Sequence, residues 1–185
     1  MAAGGDSSNI SLGAGRIYVA ALGTAEPADN STPLPSAWVP VGYTEDGTTV
    51  SIELGNEAIE VAEEVDPVLY VLASRSATLS AQMAEINRRT LALAMGAGAG
   101  AANDDTTFEP PEPGAEVAVM IVWDSDETAG ADNRRWLFRQ CKVNGTVETQ
   151  RNKAPNKALL PVDFNLEKPA GLAPFKVFPN AAGLI

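Results

Sequence analysis

The chain has 185 residues, a single cysteine, no histidine and a formal net charge of −11, a length that suits one domain or one domain with extensions. The missing histidine removes the commonest general base and metal ligand, and a lone Cys141 excludes an internal disulfide. No run of eighteen apolar residues offers a membrane-spanning helix, and Met1–Ser11 has neither the basic nor the apolar segment of an export signal.

Residues 1–14 read as a flexible N-terminal arm, followed by a main domain over 15–168. Arg16–Leu22 has the composition of a first strand. From Gly23 to Ala37 the chain is rich in proline and serine, and Pro27, Pro33 and Pro35 block regular pairing. Trp38–Thr44 and Thr48–Leu54 flank Asp46-Gly47, a hairpin turn signal. In the second of these, Val50, Ile52 and Leu54 alternate with Thr49, Ser51 and Glu53. Gly55-Asn56 is then expected to turn the chain, and Ile59, Val61 and Val65 alternate with Glu60, Ala62, Glu64 and Asp66. Residues 48–66 are thus expected to form a hairpin whose polar face gathers Glu53, Glu60 and Glu64.

Pro67 marks a break, Val68–Leu72 suits a short strand or a loop, and Ser76–Ile86 a long strand. Asn87 is placed to cap a short helix, Arg88–Met95, in which Leu91 and Met95 share a face, and Gly96 ends it. Gly96–Asp105 and the Pro110–Pro113 segment belong to an Ala/Gly/Pro-rich insertion over 96–115. Val117–Asp124 is apolar on both faces, as a central strand would be. Arg134–Val143 and Thr146–Gln150 flank Asn144-Gly145, the strongest short hairpin signal in the chain. In Leu159–Leu166, Leu160, Val162, Phe164 and Leu166 point inward, and Pro161 places the strand at an edge or bulge. Residues 169–185 form a C-terminal arm with an apolar end that includes Phe175 and Phe178. The expected fold is mainly β, an antiparallel sandwich or barrel of about eight strands with one short flanking α-helix.

Charge is distributed unevenly. Between Arg16 and Arg75 there is no lysine or arginine, yet ten carboxylates, whereas residues 134–185 hold nine basic side chains against three acids. An acidic first half and a basic second half suit a subunit that meets copies of itself. Chemical motifs are lacking. Cys141 falls in an expected strand with no histidine to activate it, so a buried structural thiol is the simpler reading. Gly96-x-Gly98-x-x-Ala101 follows a helix instead of opening one after a strand, so it lacks the phosphate-binding geometry. Asp124-x-Asp126 with Thr128 and Gly130 has Arg135 where a calcium loop needs a bidentate glutamate. No cofactor, metal, catalytic group or sequence-specific nucleic-acid surface is indicated.

Several segments together carry a family likeness: VGYTEDG (Val41–Gly47) leading into an alternating strand, the acidic E-V-D-P (Glu64–Pro67), E-I-N-x-x-T-L-A-L-A-M-G (Glu85–Gly96) and K-A-L-L-P-V-D-F (Lys157–Phe164). The stretch Trp38–Met95 resembles the major tail proteins, or tail tube proteins, of long-tailed (siphovirus-type) bacteriophages. About half the chain carries the likeness, and the Ala/Gly run and the base-free first half depart from it. The resemblance implies a β-sandwich with a flanking helix, assembled into hexameric rings that stack into a tube, with each subunit lending strands to an inner barrel. It also implies tail terminator, tape measure and distal tail proteins as partners, and double-stranded DNA passing through without specific binding. No membrane partner is implied.

On that reading Thr49, Ser51, Glu53, Glu60, Glu64 and Ser80 are expected to face the bore, where carboxylates without cations cannot pair with phosphates. Pro27, Asp29, Pro33, Pro35, Phe175 and Phe178 are expected in loops and arms that join ring to ring, ordering when a partner supplies contacts. Leu91 and Met95 are expected to set the helix against the sandwich. Another virion subunit of fixed oligomeric size, or a β-sandwich binding module using Trp38, Trp123 and Trp136, are the alternatives; the strand positions of these tryptophans favour burial.

Overall fold

The computed structural model describes residues 15–99, 107–125, 134–149 and 156–178. The expected arm at 1–14, most of the calcium-like loop and part of the Ala/Gly run lie outside these residues. The described chain is mainly β: β1 (Gly15–Ala21), β2 (Val39–Pro40), β3 (Thr44–Ile59), β4 (Leu69–Met83), a helix α1 (Arg88–Ala94), β5 (Val119–Ser125), β6 (Arg135–Asn144), β7 (Leu160–Leu166) and β8 (Phe175–Phe178). All strand pairs are antiparallel, in the order β2-β1-β5-β6-β7-β4-β3, and β8 pairs with β6 beyond the end of β7. The mainly β expectation is met by one sheet curled around its core, a barrel that does not close.

Alternation builds that core. Ile17 and Val19 of β1, Val119 and Ile121 of β5, Phe138 and Cys141 of β6, Leu160, Val162 and Phe164 of β7, and Leu79, Ala81 and Met83 of β4 form one buried cluster. The helix lies against it through Leu93 and Ala94, with Leu91 half-buried beside them and Met95 at the C-cap. Asn87 caps the helix by accepting the Thr90 N–H at 3.0 Å, while the Thr90 hydroxyl accepts the Asn87 N–H at 2.9 Å. Gly96 ends it with φ near +77°, a conformation costly for any residue with a Cβ. On the opposite sheet face Ala20, Met120, Val122, Leu137 and Phe178 meet Trp38.

Three turn signals resolve differently from expectation. Asp46-Gly47 is a bulge inside β3: Glu45 pairs with Gln82 and Thr48 with Ala81, so two residues are extruded, with Gly47 at φ +79°. Turns and bulges both need a left-handed residue, so the dipeptide alone cannot separate them. Gly55-Asn56 is also no turn, because Gly55 pairs with Ser74 and Asn56 with Leu72, so the β3–β4 ladder runs on past a one-residue bulge at Ala73. A Cβ at Gly55 would lie 2.3 Å from the Ser74 hydroxyl, so a larger residue there would require the Ser74 side chain to turn aside. Val68–Leu72 and Ser76–Ile86 accordingly merge into the single strand β4. Asn144-Gly145 ends β6, yet Thr146–Thr149 form no strand, and β6 pairs instead with β7 after a longer connection. Pro161 is accommodated because β6 pairs with β7 only from Asp163 onward, so no neighbour on that side seeks its missing N–H.

Burial along β3 and β4 changes abruptly. Leu79 is fully buried, whereas Leu54, on the same hairpin, is 59% exposed. Leu79→Ala should therefore destabilise the unassembled subunit by about 2–5 kcal/mol. Leu54→Ala should stay within about 0.5 kcal/mol of the parent, both read from urea unfolding.

Candidate functional site

The outstanding feature is the β3–β4 hairpin. β7 pairs with β4 only over Thr78–Met83, so the remainder of β4, back to Leu69, touches no strand except β3. β3 in turn is the last strand of the sheet. Every residue from Ser51 to Asp66 and from Val68 to Ser76 is exposed, on both faces of the ladder. Ten of the fifteen exposed large apolar side chains among the described residues lie between Ile52 and Leu72. A two-stranded ribbon with both faces in water is marginal by itself. Apolar side chains and unpaired edges concentrated on such an arm mark an interaction element.

The structure divides the expected bore-facing set. Thr49 pairs with Ser80, Ser51 with Thr78 and Glu53 with Ser76, so Thr49, Ser51, Glu53 and Ser80 share one polar face. Across β4 that face continues into β7, where Ser80 pairs with Asp163 and Thr78 with Asn165. It reaches β6 at Lys142, opposite Asn165. The Lys142 ammonium lies 3.8 Å from Glu167. Glu60 and Glu64 do not join this face. They lie in the tip loop between β3 and β4, closed by the Val68 N–H donating to the Ile59 carbonyl at 3.0 Å. The strand expected over 59–66 is therefore corrected to a loop. Its apolar–acidic alternation imitates a half-buried strand, although nothing among the described residues covers the apolar positions.

The proline-rich loop at 23–37 is also corrected, from a segment awaiting a partner to one anchored on its own sheet. Pro27 and Trp38 are buried, and the Trp38 indole N–H donates to the Ala25 carbonyl at 3.2 Å. Asp29 accepts N–H donations from Ser31 and Thr32 at 2.9 and 2.6 Å and one from the Thr32 hydroxyl, which hold its carboxyl down at about 2. The buried Arg135 guanidinium donates to the carbonyls of Asp29 and Thr32 and pairs with Asp124 at 2.7 Å. Arg139 forms a two-pronged pair with Glu26 and donates to the Ala173 carbonyl, tying the loop to the segment before β8. Pro33 and Pro35 are exposed on the loop's outer side. Phe175 and Phe178 lie in β8: Phe178 is buried, and Phe175 stacks on Trp136 with centroids 5.9 Å apart. They complete the subunit's own core, as do Trp123 and Trp136.

No feature here is arranged for chemistry. Cys141 is buried against the core, and burial pushes its thiol pKa up, so the thiolate is suppressed. Asp124 is engaged by Arg135.

Removing Arg135 strands the Asp124 carboxylate and two loop carbonyls, so Arg135→Ala should cost about 3–5 kcal/mol and expose the loop to limited proteolysis. The Arg139 guanidinium holds the Glu26 carboxyl below its usual value of 4.5. The folded chain then binds fewer protons there, and the pair's stabilisation is complete above that value and lost as pH falls through the lowered pKa. Glu26→Gln should therefore flatten the acid side of the stability–pH profile, by no more than about 1 kcal/mol for so exposed a pair.

A sequence model of the phage tail tube protein family matches residues 2–180. No curated protein matches the chain. An antiparallel sheet with an open edge, a projecting arm and no catalytic constellation among the described residues fits a part that works by assembly. Matched over nearly its whole length, the chain belongs to the phage tail tube protein family, a structural and non-enzymatic family of the virion tail.

Proposed function

We propose that this chain is the tail tube subunit of a siphovirus-type phage, forming six-membered rings that stack into a hollow tube through which the genome leaves the capsid. One observation carries the reading of the bore: Thr49, Ser51, Glu53, Thr78, Ser80, Asp163 and Asn165 form a continuous polar face on adjacent strands. Among the described residues its acids include Glu45, Glu53 and Asp163, and the cations beside it, Lys142 and Lys157, have Glu167 and Glu45 as partners. Duplex DNA carries about one charge per 1.7 Å of axis, so a wall that offers phosphates few free cations lets the duplex slide. Sixfold repetition brings like charges together, a cost moderated by screening over about 8 Å at physiological salt. The unpaired outer edge of β3 lets a neighbour continue the sheet around the ring. Glu60 and Glu64, at the arm tip, belong to contacts between subunits in this scheme. Tail terminator and distal tail proteins would close the two ends, and the tape measure protein would occupy the bore before the DNA.

Electron microscopy of the assembled protein should show open-ended hollow tubes of uniform width with a regular axial repeat; closed particles of fixed size would instead indicate a terminator-like subunit. Glu53→Lys with Asp163→Lys should leave tubes intact and slow DNA release from the virion, measured by dye-reported ejection. Unchanged ejection in that double variant would remove the polar face from the bore.

A further inference from the structure

Where β7 stops and β4 runs on, the sheet forks. The fork holds a cleft of about 230 Å3 between Arg75 and Ala77 of β4 and Leu166, Lys168 and Pro174 around the β7–β8 connection. That is several times the roughly 30 Å3 of one water, so side chains can enter. Ala77, Leu166 and Pro174 form its apolar floor, with Ser76 beside them, and Arg75 and Lys168 are two exposed cations in its lining. Neither Arg75 nor Lys168 has a carboxylate partner among the described residues.

The arm tip has the opposite character. Val65 is 100% exposed and is flanked by Glu63, Glu64 and Asp66. The tip cannot fold back onto its own fork. From Ala77 to Leu69 the extended ladder spans about 27 Å at roughly 3.4 Å per residue, which points the loop away from the subunit. Like charges keep tips from meeting tips. An acidic tip with an apolar centre and a cationic cleft with an apolar floor are thus complementary parts that only two copies can bring together.

We propose that the tip loop of one subunit docks in the fork cleft of a neighbouring copy, with Val65 on the apolar floor and Glu64 and Asp66 against Arg75 and Lys168. The inference rests on the tube reading above and assigns it a contact. Such a contact is head-to-tail: each copy offers a tip and a cleft that differ, so it can be repeated from ring to ring along a tube. Ionic rims orient the encounter, and the buried valine resists dissociation.

The test is a charge swap in the full-length chain. Arg75→Glu with Lys168→Glu, and separately Glu64→Lys with Asp66→Lys, should each leave the subunit folded by circular dichroism and urea midpoint, since all four sites are exposed. Each should raise the concentration needed for tube growth about tenfold or more, and all four changes in one chain should recover most of the loss. Val65→Cys with Lys168→Cys should give a ladder of disulfide-linked multimers in oxidised tubes, with the buried Cys141 left out. Wild-type tubes whose growth is indifferent to both charge reversals, with no ladder, would overturn the docking while leaving the tube reading standing. Wild-type protein that forms only closed particles would overturn both.

Discussion

β7 has seven residues and its neighbour β4 has fifteen, and the consequences of that mismatch run through the molecule. Over Thr78–Met83 the two strands share hydrogen bonds, and the inward side chains of β4 find a floor in β7, the helix and β5. Beyond Thr78 the floor ends. β3 still pairs with β4, so the ribbon keeps its backbone bonds on one side while both outer edges stay open. The apolar positions continue in register, so Ile52 and Leu54 are presented to solvent in the same phase that buries Leu79. A strand pattern that buries its side chains in the body therefore extends past the subunit, and in the proposed assembly another copy would supply the missing burial.

An exposed apolar ribbon with open edges is an aggregation hazard unless something prevents random pairing. Here the acids do so. Glu53, Glu57, Glu60, Glu63, Glu64 and Asp66 lie on or at the end of the arm. Two free arms repel, so association awaits a surface that offers cations. In the proposed docking the second half of the chain contributes to that surface through Lys168, while its arginines Arg135 and Arg139 hold the proline-rich loop inside the subunit. The charge asymmetry thus serves intramolecular clamping, through Arg135 and Arg139, and in the proposed docking it would also serve complementarity between copies.

Elements whose periodicity reflects burial within one chain were legible. Leu160, Val162 and Phe164 of β7 alternate inward as expected, the helix starts at an asparagine cap and stops at a glycine, and Val119–Val122 of β5 are buried on both faces. Segments that use the same local chemistry for another purpose were misread. Asp46-Gly47 became a bulge because β4 continues as partner past it, and Gly55-Asn56 became a second irregularity in the same ladder. Residues 59–66 alternate like a strand, but among the described residues nothing packs on their apolar positions. Pro27 and Asp29 looked like parts of a free arm because their anchors, Arg135 and Arg139, lie more than a hundred residues away.

The sequence by itself determined the β class, the capped helix, the inert thiol, the absence of catalytic chemistry and the acidic block, because each depends on residue type and on neighbours within a few positions. Where six of that block's ten acids go follows only from the tertiary structure: Glu53 onto a polar sheet face beside Ser76, and Glu57, Glu60, Glu63, Glu64 and Asp66 along and around a projecting tip, while Glu26 and Asp29 lie in a loop held by two arginines from the far end of the chain. Those outcomes depend on where each strand ends relative to its neighbour, and strand ends are set by pairings between residues far apart in the chain.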